Sequence, residues 1–115
     1  MSSRSHSGTG AQLQRRAPVF AALGDETRLS LVVKLSNGEP HSISQLTEGT
    51  RLTRQAVTKH LRVLEGVGIV KGVRSGRESL FAFNPKPMDE LKEYLDLVSQ
   101  QWDQALARLQ SFVED

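Results

Sequence analysis

Gln55, Thr58, Lys59 and Arg62 recur along one stretch of this chain at the spacing of a single helix face. They fall within residues 52–70, LTRQAVTKHLRVLEGVGIV. At about 100° per residue they point away from Val57, Leu61 and Leu64, which form an apolar stripe. Glutamine can pair bidentately with adenine, threonine can meet a base edge, and lysine and arginine neutralise phosphates. A helix with this front and an apolar back suits the major groove of DNA. The alternative is a solvated surface helix, and the flanking sequence bears on the choice.

Something must hold that helix at a fixed angle. Thr53 is an N-cap whose hydroxyl can accept from an orphan amide one turn later, and Gly66 and Gly68 supply a stop. Upstream, Ser42-Ile-Ser-Gln45 matches a capping box and opens a short helix that ends near Gly49, with Ile43 and Leu46 facing inward. Residues 50–52 make a tight connection. Short helix, turn and polar-fronted helix give helix-turn-helix organisation. Downstream, Ile69 to Phe83 changes to a β-like period with a turn signal at Arg74-Ser-Gly-Arg77, which predicts a hairpin. Such a wing brings Arg74 and Arg77 to phosphate or the minor groove. Candidate DNA contacts are Thr53, Arg54, Gln55, Thr58, Lys59, Arg62, Arg74 and Arg77. Gln55 and Thr58 are assigned to base edges and the cations to phosphates or the wing.

Two helices are expected before this unit. The first spans residues 13–23, with Val19, Phe20 and Leu23 apolar and a start displaced toward Ala17 or Pro18 by the proline. Gly24 ends it. Asp25 caps the second, which runs through Ser36 to the Asn37-Gly38 turn. After a rigid break at residues 84–87, Leu91, Leu95, Val98, Trp102, Leu106, Leu109 and Val113 recur every three or four residues. A helix of about 25 residues, about 38 Å long, is more than one small core requires. Part of its stripe is therefore expected to meet a second copy, with Phe20, Leu91, Leu95, Val98, Trp102, Leu106 and Leu109 at the seam.

The 115 residues allow one domain with a modest core. The formal charge of +2 is uninformative, but its distribution is not. From Arg51 to Glu78 seven cations face two carboxylates, a net of about +5, and beyond Pro87 the balance reverses to about −5. The absence of cysteine removes disulfides and thiolate metal sites. No apolar run reaches membrane-spanning length and the first residues lack a signal-like apolar core. A cytoplasmic protein is expected, with residues 1–12 a Ser- and Gly-rich disordered tail and 13–115 the folded domain.

The ordered set of Ala22-Leu-Gly-Asp-Glu-Thr-Arg28, Ser42-Ile-Ser-Gln-Leu46, Gln55 to Glu65, Gly68-Ile-Val70 and Gly76-Arg77 resembles the ArsR/SmtB family of bacterial winged-helix repressors over about residues 18–113. The resemblance implies a mainly α fold of about five helices with a small β-hairpin. It also implies a homodimer built on the first and last helices, and a two-fold symmetric operator on double-stranded DNA. It makes His60 a structural residue or phosphate contact rather than a metal ligand. This chain departs from the metal-sensing members: it has no cysteine and no histidine after His60. The carboxylates Asp89, Glu90, Glu93 and Asp96 alone make a poor transition-metal site. No metal and no cofactor are expected, a small-molecule effector is unknown, and activation is not distinguished from repression.

The expected function is sequence-specific DNA binding by a dimeric repressor. A winged-helix protein-interaction module is the alternative, against which the basic front argues. An enzyme is not expected, since no catalytic triad, metal cluster or Gly-rich phosphate loop appears.

Overall fold

The computed structural model describes residues 14–114, so the expected tail at 1–12 lies outside the described residues. Among these are five helices and three strands in the order α1 (14–23), α2 (Glu26–Leu35), β1 (His41–Ser42), α3 (Ile43–Thr47), α4 (Arg54–Gly66), β2 (Val70–Ser75), β3 (Glu78–Phe83) and α5 (Pro85–Glu114). This is a winged helix-turn-helix.

The core forms where the apolar stripes converge. Leu35 of α2, Leu46 of α3, Val57, Leu61 and Leu64 of α4, and Ile69 after it are fully buried. Val19 and Ala22 of α1, Phe81 of β3 and Leu91 of α5 close the cluster. The ends of α2 show how end groups bound a helix. Asp25 accepts from Arg28 N at 3.0 Å to open α2, and Gly38, with φ of 88°, turns the chain after it.

The sheet is antiparallel, in the order β1-β3-β2. β2 and β3 pair from Val70–Phe83 to Ser75–Glu78, and Gly76 and Arg77 form the turn between them. Gly76 has φ of 62° and occupies the first turn position, where a two-residue hairpin of the II′ kind needs a positive φ. The third strand is a correction to the expected lone hairpin: His41 and Ser42 pair with Phe81 and Leu80. His41 therefore sits in a strand. Two residues are too few to display an alternating pattern.

The expected break at residues 84–87 is also corrected. α5 begins at Pro85 and runs 30 residues, about 45 Å at 1.5 Å per residue. Both prolines fall in its first turn, where the missing N–H groups would have had no intrahelical partner. The break contracts to Asn84, whose N–H donates to Ile69 O at 2.8 Å and whose side-chain amide donates to Gly68 O at 3.0 Å. These bonds tie the root of α5 to the end of the α4 turn. In α1, Pro18 is tolerated inside a helix that is already formed at residue 14, earlier than the expected start.

Candidate nucleic-acid interface

The approach to α4 is built from hydroxyl caps. Ser42 Oγ accepts from Gln45 N at 3.1 Å and Gln45 Oε1 accepts from Ser42 N at 2.9 Å, completing the capping box that opens α3. At its far end Thr50 Oγ1 donates to Thr47 O at 2.6 Å and accepts from Leu52 N at 3.2 Å. Gly49, with φ of 79°, lets the chain reverse. Thr53 Oγ1 accepts from Ala56 N at 3.0 Å and starts α4. Thr53 is thus a cap first, and its exposed position is the entry to the helix front.

On that front Arg54, Gln55, Lys59 and Arg62 are exposed and Thr58 is half-buried. Arg54, Gln55, Thr58 and Lys59 line an open depression of about 430 Å³, with Ile43 of α3 as its apolar wall. Thr58 Oγ1 donates to Arg54 O at 2.7 Å. Arg62 is paired with Glu65 at 2.9 Å, one turn on.

The wing completes the surface. Arg77, exposed at the hairpin tip, lines a second recess of about 320 Å³ together with Arg54, Ser42, Ser44, Glu78 and Ser79. Arg74 lines a third, of about 210 Å³, beside Arg62 and Glu65. The fold therefore gathers the wing arginines with those of α4 in two pairs, Arg54 with Arg77 and Arg62 with Arg74. A carboxylate accompanies each pair, Glu78 in one recess and Glu65 in the other. Ile43, expected to face inward, is half-buried against the core and also lines this surface. Ser44 joins it as well, and its only signal in the sequence was the capping box that contains it.

The flank of α4 holds a further group. Arg28 Nε donates to Ala22 O at 2.5 Å and its guanidinium reaches Ala21 O at 3.4 Å and His60 Nδ1 at 3.3 Å. Asp25 Oδ2 lies 3.9 Å from the same ring nitrogen. The N–H of Arg28 donating to it holds the Asp25 carboxyl below the usual carboxylate range, reinforced by the positive charge of Arg28.

The expected seam residues divide. Leu91 is 3% exposed and belongs to the core of the chain itself. Phe20 and Val98 are half-buried, and the Phe20 ring lies 6.1 Å from that of Tyr94 at an interplanar angle of 57°, joining α1 to α5. Arg16 reinforces that junction through Glu90 at 2.7 Å. Beyond it Leu95, Trp102, Leu106 and Leu109 are 50%, 65%, 57% and 59% exposed. Among the described residues no group of three or more His, Asp or Glu side chains is arranged to hold a metal ion. No helix among them is long and apolar enough to cross a membrane.

A helix-turn-helix domain family matches residues 23–73, which run from the end of α1 into the wing. The chain is 37% identical to the HTH-type transcriptional regulator YuzN of Bacillus subtilis over 79 residues, 64% of this chain and 86% of that protein. It spans only about half, 54% and 50%, of two mycobacterial regulators that it also matches. Among solved structures, an ArsR-like transcriptional regulator from Rhodococcus sp. RHA1 superposes with a TM-score of 0.73 at 34% identity, covering 91% of this chain and 95% of that one. A homodimeric winged helix-turn-helix domain from Mycobacterium bovis, Mb0332, shares the fold with a TM-score of 0.64 at 20% identity over 84% of this chain and 89% of that one. With its helix order, wing and capped second helix, the chain belongs to the ArsR/SmtB family of winged helix-turn-helix, DNA-binding transcriptional regulators.

Proposed function

We propose that this chain is a dimeric transcriptional repressor that reads a two-fold symmetric operator and blocks the promoter that contains it. The observation that carries this reading is the shared surface of α4 and the wing, where Arg54, Gln55, Thr58, Lys59 and Arg77 surround adjoining recesses. Gln55 and Thr58 meet base edges. Arg54, Lys59 and Arg62 hold phosphates, and Arg74 and Arg77 act from the wing. Thr53 orients the helix as its cap. The dimer forms through α1 and α5, with Phe20 and the stripe from Leu95 through Val98, Trp102 and Leu106 to Leu109 at the seam and Leu91 anchoring its inner end. The Mb0332 domain, which shares the fold, is itself homodimeric.

The domain responsible spans residues 13–115, acts in the cytoplasm, uses no cofactor and catalyses no reaction. It is not a metal sensor: the chain has no cysteine, and its three histidines, His6, His41 and His60, are scattered. Derepression then comes from an effector other than a metal, or from falling repressor concentration.

Titration of a duplex enriched by this protein against rising salt tests the reading. If each of two subunits neutralises about three phosphates, log K falls against log salt with a slope near −5. A slope near zero would leave a protein-interaction module as the better description. Repeating the titration with zinc, with chelator and with oxidant should move the affinity by less than about tenfold, 1.4 kcal/mol. A larger shift abolished by His41→Ala would restore metal sensing.

A further inference from the structure

We propose that Arg28 is a positioning residue for DNA reading, acting through His60; this rests on the assignment of α4 as the reading helix. The starting point is a helix end. The last carbonyls of α1 have no intrahelical partner: Ala21 O accepts from Gly24 N at 3.2 Å, and Arg28, in the first turn of α2, donates to Ala22 O at 2.5 Å and adds a longer contact of 3.4 Å to Ala21 O. The same planar guanidinium reaches His60 Nδ1 at 3.3 Å, on α4. One rigid fork therefore spans three helices. Two of them carry the two functions. α1 brings Phe20 against Tyr94 of α5, the layer assigned to the dimer seam, and α4 carries Gln55 and Thr58.

In a two-fold dimer, the distance between the two reading helices depends on the angle each makes with that seam layer. The apolar core alone fixes the depth of α4, because Val57, Leu61 and Leu64 are all aliphatic and fully buried. Aliphatic contacts are non-directional. Arg28 adds the directional bond on the flank, and so controls helix rotation and half-site spacing rather than cohesion.

The bond also fixes a protonation state. An arginine only donates, so His60 Nδ1 must be bare to accept from it. The charged groups set against this ring are Arg28 and Asp25, both from the start of α2, while α1 contributes the backbone carbonyls that Arg28 holds. A protonated imidazole has no lone pair for Arg28. It would turn its new N–H toward Asp25 Oδ2, now 3.9 Å away, and release the link to α1. Protonation of His60 therefore loosens the reading helix from the seam layer.

The experiment measures affinity for an enriched duplex and for a random-sequence duplex, and the choice among duplexes with the half-site spacing changed by one base pair. Wild type, Arg28→Gln, Arg28→Lys and His60→Asn are compared at about pH 8 and about pH 5. Arg28→Gln should lower the specific-to-random affinity ratio at least about tenfold and flatten the spacing preference, with Arg28→Lys between it and wild type. In the wild type the ratio should fall at acid pH. Asparagine offers an uncharged acceptor near the Nδ1 position, so His60→Asn should hold the ratio constant across pH. Should Arg28→Gln not fold, the pH comparison of wild type with His60→Asn decides alone. Equal losses on both duplexes, an unchanged spacing preference, or a wild-type ratio that is flat with pH would overturn the proposal and leave DNA reading intact. No binding of either duplex by the wild type would overturn both.

Discussion

The hydroxyl of Thr58 donates to the backbone carbonyl of Arg54, one turn back along α4, at 2.7 Å. That bond spends the only proton the hydroxyl has. What remains for a base edge is an accepting oxygen and a methyl group. Thr58 can accept from the exocyclic amine of adenine or cytosine, or pack on the methyl of thymine. Gln55 is exposed and offers both amide functions.

Those two side chains should therefore fail differently. Thr58→Val keeps the shape and removes the acceptor, so it should cost on the order of 1 kcal/mol at one base position of each half-site. Gln55→Ala should cost about 1–3 kcal/mol at another position. Site selection with each variant reads the two losses; uniform weakening across all sequences by Thr58→Val would remove it from base reading.

The Arg62–Glu65 pair, 2.9 Å apart on the surface of α4, competes with phosphate for the guanidinium. Glu65→Gln should raise affinity for duplex DNA of any sequence and steepen the salt dependence. Lys59→Ala should lower affinity alike for all sequences and reduce the salt slope by about one per subunit. Salt titrations of both variants on random-sequence DNA provide the check, and a shallower slope in Glu65→Gln would mean that Arg62 does not reach phosphate.

The division of the α5 stripe gives a contrast within one helix. Leu106 and Leu109 are more than half exposed in the single chain, 57% and 59%. Leu106→Glu or Leu109→Glu should yield folded monomers, because the charge is desolvated only at the seam. Leu91→Ala should instead cost about 2–5 kcal/mol of stability, as large-to-small changes in a core do. Sedimentation and thermal unfolding separate the two effects; a wild type that sediments as a monomer while binding DNA would contradict the seam.

Asp25 sets an acid limit on α2. Its carboxyl is held below its ordinary value of 3.8, first by the Arg28 N–H it accepts from. A lowered folded value means that the stabilisation is complete above 3.8 and is lost as pH falls through the lower value. Asp25→Asn keeps an N-cap acceptor with no proton to gain. Its unfolding midpoint should fall less steeply than that of the wild type on acidification below 3.8. Parallel acid curves for the two proteins would assign the acid loss to other carboxylates.

Features encoded within a few residues were legible in the sequence. The Thr53 cap, the Ser42–Gln45 box, the Gly76 turn and the periodicity of α5 each follow from side chains at most one turn apart. Features that depend on distant partners were not. β1 exists only because His41 and Ser42 meet β3. Leu91 and Leu106 share one stripe, and only the packing of the domain separates a core residue from an exposed one. Nothing in the spacing of Arg28 and His60 announces that they touch across 32 positions. Pro85 departs from the expected break for another reason: a proline that breaks a helix interior is equally suited to a helix start.

The central claim, that two copies of α4 read one duplex, is tested most directly by selecting bound sequences from a random DNA pool with the wild-type protein. The account predicts enrichment of a two-fold symmetric pair of half-sites centred about one helical turn, 10–10.5 base pairs, or a multiple of it, apart. Recovery of a single unsymmetric site, or of no preferred sequence at all, would contradict it.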